Sequence, residues 1–90
     1  MHEAELRGLV ADWETAGVRI GRFDTLLLPL ARERVAAALG AYRGGRGDLA
    51  AVLDARRAET ETRLASLQAR LERARAWAKL NFLLPHEVQP

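Results

Sequence analysis

The sequence predicts an all-α protein, a long antiparallel two-helix hairpin of the coiled-coil type. Three features carry that expectation. Apolar residues recur at alternating steps of three and four in both halves of the 90-residue chain, glycines cluster at 44, 45 and 47 between those halves, and neither glycine nor proline occurs from Leu49 to Leu83. The alternating spacing keeps side chains on one face of a 3.6-residue helix. A glycine cluster between two such runs lets the chain reverse direction.

The first element covers residues 1–43 as one long helix or a helix pair. Leu6, Leu9, Trp13, Ala16, Ile20, Phe23, Leu27 and Leu30 form its apolar stripe, and Glu5, Arg7, Asp12, Glu14, Arg19 and Arg22 mostly fall off it. Gly8, Gly17 and Gly21 each cost up to about 1 kcal/mol of helix propensity relative to alanine, so packing must hold this segment. Pro29 removes a backbone donor and crowds the preceding turn. The stripe resumes beyond it through Ala31, Val35, Ala38 and Tyr42, which is compatible with a kinked helix or with two helices meeting at the proline. The alanines at 36–38 carry little bulk and permit close approach of a neighbour.

Residues 44–47 form the hairpin tip, and Asp48 is placed to cap the next helix with its carboxylate. That second helix spans 48–84, about 50 Å at 1.5 Å per residue, and a short tail occupies 85–90. Leu53, Thr60, Leu64, Leu67, Leu71, Ala74 and Ala78 follow a heptad seam with Arg57 as a polar member. Glu59 and Arg63 stand at the favourable spacing of four. Two slender helices cannot cover both of their faces, so self-association or another partner is expected to complete the burial.

Composition narrows the function classes. A chain of this length makes at most one domain with a thin core, and without cysteine it has no disulfide or thiolate metal site. The formal net charge is +2, with arginines scattered among acidic residues. A nucleic-acid surface concentrates positive charge on one face, so this dispersion argues against such a partner. The first residues lack the basic and apolar pattern of a secretory signal peptide. No apolar run approaches the roughly 20 residues of a membrane-spanning helix, so direct membrane insertion is not expected.

No catalytic, cofactor or metal site emerges. His2 and His86 lie near opposite ends of the chain, with no His-x-x-x-His or Glu-x-x-His spacing to place two ligands on one helical face. The string "GGRG" lacks the lysine and hydroxyl residue of a phosphate loop and follows a helix rather than a strand. Arg46-Gly47-Asp48 spells the integrin-adhesion tripeptide, but each residue already serves the turn and cap. No nucleophile and base can be paired, so an enzyme is not expected. Trp13 and Trp77, with Phe82 beyond, are read as core aromatics, and an antiparallel hairpin allows the two tryptophans to meet.

The stretch "LLPLARERVAAALGAYRGGRGDLAAVLDARRAE" resembles the last helical hairpin of TolC-like outer-membrane efflux proteins. Ala41, Tyr42, Gly45, Leu49, Val52, Leu53, Asp54, Ala55 and Arg56 fall on the positions of that family's pattern. The ending "RARAWAKLNFLLP" is similar to its heavy-metal and cation efflux branch. Helical similarity covers most of 13–85, and the specific motif occupies 41–56.

The resemblance implies a trimeric channel whose barrel crosses the outer membrane and whose long hairpins form a periplasmic tunnel. The hairpin tips meet a periplasmic adaptor, which connects to an inner-membrane pump. Carried onto this chain, the adaptor-binding tip is Tyr42, Gly44, Gly45, Arg46, Gly47, Asp48 and Leu49, and the channel constriction is Asp54 with Arg56. Tyr42 matches a tyrosine that helps hold the closed state. Three copies of Asp54 would attract cations at the entrance. Ala51 stands where some members carry a second aspartate, and Arg46-Gly47 replaces the usual small or polar turn residues, which weakens the case for a multi-carboxylate gate. The family's signal peptide, barrel strands and first hairpin repeat have no counterpart in these residues.

Overall fold

The computed structural model describes residues 2–83; Leu84 and the tail over 85–90, with His86, lie outside the described residues. The chain forms α1 (His2–Arg22), a π-helical turn (Phe23–Leu27), α2 (Leu28–Arg43) and α3 (Leu49–Leu83). α1 and α2 run end to end and both pack along α3. No strand occurs among the described residues. The radius of gyration is 19.6 Å, against about 12 Å for a compact 90-residue domain. The all-α antiparallel hairpin expected from the sequence is therefore the fold.

Pro29 neither breaks the first rod nor leaves it a plain α-helix. An α-helical residue 29 would donate its N–H to the carbonyl of Thr25, which proline cannot do. The backbone widens just before it, so that the Leu28 N–H reaches back five residues to the Phe23 carbonyl. Arg22, Leu27 and Leu28 all keep right-handed helical angles, so the chain passes the proline without leaving the helix. The Thr25 hydroxyl donates to the Gly21 carbonyl at 2.8 Å in the same stretch. The wider turn also shifts the stripe. Leu30, expected on the packed face, is 36% exposed, while Ala31 and Val35, where the stripe was expected to resume, are each buried at 7%.

The face of α3 that closes the hairpin is not the leucine seam. Leu53, Leu64, Leu67 and Leu71 are 50% to 63% exposed. The packed line is Val52, Ala55, Glu59, Thr62, Ser66, Ala69, Arg73, Ala76, Leu80 and Leu83, all buried or half-buried and spaced by alternating threes and fours. This is a second heptad, offset by roughly 160° from the leucine seam at 100° per residue. Its central residue, Ala69, has no exposed surface. Small side chains here let the two rods approach closely, while Ala16, Ile20, Ala31 and Val35 bury themselves from the other side. The core is thin: among the described residues no large side chain is completely buried.

Polar contacts fix the stagger of the rods. Arg19 pairs with Glu72 at 2.8 Å and Arg70 with Asp24 at 2.6 Å. All four side chains are about half exposed, so each pair contributes at most about 1 kcal/mol. The expected Glu59 to Arg63 pair forms along α3 at 3.5 Å.

Candidate functional site: the hairpin tip

The turn is a complete Schellman closure. The Arg46 N–H donates to the Ala41 carbonyl at 2.8 Å and the Gly45 N–H to the Tyr42 carbonyl at 3.1 Å, satisfying carbonyls that the last helical turn leaves free. This geometry requires a left-handed residue, and Gly45 supplies it with φ +73°. Gly47 is constrained differently. Its N–H also donates to the Ala41 carbonyl at 3.1 Å, and a Cβ there would lie 3.1 Å from the Ala41 Cβ. At Gly44 a Cβ would meet only the mobile end of the Arg46 side chain.

Asp48 then restarts the helix, its Oδ1 accepting the Ala51 N–H at 3.0 Å. This is the third helical residue, as an N-cap demands. The carboxylate of the Arg-Gly-Asp string is thus committed to capping.

The structure brings the expected tip residues Tyr42, Gly44, Gly45, Arg46, Gly47, Asp48 and Leu49 to one end of the rod, all of them exposed. Tyr42 is 44% exposed and Leu49 51%. Asp54 and Arg56 stand above them on α3, also exposed, and two residues apart they point to different sides of the helix. They flank Leu53 rather than meeting one another, and neither forms an ion pair among the described residues. The tip therefore presents tyrosine, leucines, one free carboxylate and several guanidiniums on a backbone held by its own hydrogen bonds.

The opposite end of the hairpin holds the aromatic cluster. Trp13 and Trp77 meet with ring centroids 6.4 Å apart and planes tilted by 38°. The Arg73 guanidinium lies 4.5 Å over the Trp13 ring, and its Nε is buried without a hydrogen-bond partner. The ring's negative face offsets part of that desolvation. Arg73 had a sequence signal, its place on the alanine-rich heptad, which the leucine seam outshone. Trp13, expected in the core, is half-buried, but Trp77 is 53% exposed and Phe82 79%, because both lie off that packed line. His2 is exposed, 3.9 Å from Glu5. No described helix is long and apolar enough to cross a membrane. No protein-family model matches the chain, and no curated protein and no solved structure matches it.

Proposed function

We propose that the chain is the periplasmic α-helical hairpin of a TolC-like outer-membrane efflux channel, and that its tip docks end-on against the hairpin of a periplasmic adaptor serving an inner-membrane pump. The observation that carries this reading is the tip itself. A turn held by four backbone hydrogen bonds and an N-cap displays Tyr42, Leu49 and Leu53 half exposed at the end of a long rod. A rigid turn loses little entropy when a partner binds, which favours recognition by a small surface. The motif over 41–56 supports the family, and the ending "RARAWAKLNFLLP" supports its heavy-metal and cation branch. On this reading Asp54, which forms no ion pair among the described residues, is available to line a channel entrance, with Arg56 on the other edge of α3. The role is transport rather than catalysis.

The test is binding of a purified adaptor hairpin to the chain and to its Leu49→Glu, Asp54→Asn and Gly45→Val variants. The first two positions are exposed, so those variants keep the fold and report the surface alone. Each is expected to weaken binding several-fold. Equal binding by the wild type and all three variants would overturn the assignment of the tip.

A further inference from the structure

α3 carries a second heptad on its outward face. Leu53, Leu64, Leu67 and Leu71 are 56%, 54%, 63% and 50% exposed. With Ala50, Arg57, Thr60, Ala74 and Ala78 they hold the a and d places of one unbroken register. The described elements α1, the π turn and α2 pack against the other side of α3, so none of the described residues covers this line. We infer that it is the interface for a second copy of the chain, the two α3 helices pairing antiparallel to set two hairpins back to back. This pairing does not depend on the efflux reading. It sets the two tips at opposite ends and covers Leu53 and Asp54, so it is an alternative to tip docking and not a part of it.

Arg57 decides the direction. In a parallel pair an a residue meets its own copy, which sets two guanidiniums against each other inside the seam. In an antiparallel pair an a residue meets a d residue. With Leu64 opposite the second copy's Leu67, Arg57 lies against Ala74 and Leu53 against Ala78, so a large side chain meets a small one at both ends.

The flanking charges select the same register. On one edge Asp54 and Glu61 approach the second copy's Arg75, and none of the three has an ion-pair partner among the described residues. On the other edge Arg63 and Arg70 come near each other, but Glu59 at 3.5 Å and Asp24 at 2.6 Å already neutralise them. There Arg56 reaches the second copy's Trp77, which is 53% exposed in the single hairpin and offers a ring face to a cation. Sliding the pair by one heptad places Glu61 on Glu61 in one direction, and in the other carries Leu53 past the end of the second copy's α3. The a, d, e and g positions from 50 to 81 supply about 18 residues a side, close to the 20 or so of a standard specific interface.

The experiment is sedimentation equilibrium at tens of micromolar, combined with disulfide trapping in a chain that has no native cysteine. The expected mass is twice the 10.0 kDa of one chain. Leu67→Glu is expected to halve that mass without loss of helicity by circular dichroism, since the residue is outside the packed face. A mixture of Leu53→Cys and Ala78→Cys chains is expected to form the heterodisulfide, with Leu53→Cys alone forming none. A monomer at this concentration, a dimer that survives Leu67→Glu, or efficient trapping of position 53 to itself would each overturn the proposal.

Discussion

Exchanging the usual expectations for leucine and alanine is the sharpest consequence of the fold. Within one hairpin Leu67 is 63% exposed and Ala69 is completely buried, although they stand two residues apart on α3. Full burial of a leucine is worth about 1.5–3 kcal/mol. With only about a third of its surface covered, truncation of Leu67 to alanine forfeits under about 1 kcal/mol, and the gain in helix propensity offsets a part of that. Ala69→Leu inserts three carbons where two rods are in contact, a change that costs about 1–3 kcal/mol through forced rotamers or separation of the helices. The assay is urea denaturation followed by far-ultraviolet circular dichroism, run at several protein concentrations. At the lowest concentration, where association no longer contributes, Leu67→Ala should leave the midpoint nearly unchanged and Ala69→Leu should lower it. The reverse order at that dilution would show that the leucine seam closes the hairpin and would refute the packing described above.

Three further outcomes follow from the turn and the aromatic end. Gly45→Ala places a Cβ at φ +73° and should cost about 1–2 kcal/mol, whereas Gly44→Ala, facing only the Arg46 side chain, should cost less; the same denaturation assay separates them. Asp48→Ala removes the acceptor of the Ala51 N–H and should cost about 1 kcal/mol, while Asp48→Asn retains most of the stability because asparagine caps equally well; hydrogen exchange at Ala51 should rise only in the alanine variant. Arg73→Met keeps the apolar stem beside Trp13 and removes the buried, unpartnered Nε, so stability should be unchanged or higher, and a loss of more than about 1 kcal/mol would mean that the cation over the ring outweighs its desolvation.

The reversal and its cap were legible in the sequence, because each of their parts is local. Gly45 takes a left-handed position, Asp48 the cap, and residues 44–47 the reversal, all within a few residues of one another. The candidate docking residues follow from that reversal, since a hairpin end exposes what it carries. Trp13 meeting Trp77 was legible for a similar reason, as the position of the turn sets which residues face across an antiparallel pair. The exposure of Trp77 and Phe82 was not, because hydrophobicity does not say on which side of a two-faced helix a residue stands.

By itself, then, the sequence determined two helical rods, the place and chemistry of their reversal, and an apolar surface larger than one hairpin can cover. Only the tertiary structure decided which of the two heptads on α3 turns inward. Both have the same spacing, so periodicity cannot rank them, and composition favours the leucines. Close contact favours the other line, because alanine and serine at 66, 69 and 76 let the rods approach within reach of Ile20 and Val35, and leucines would hold them apart. The state of the chain at Pro29 was decided in the same way. A missing donor can end, kink or widen a helix, and packing on α3 through Ala31 and Val35 keeps the rod continuous across the wider turn.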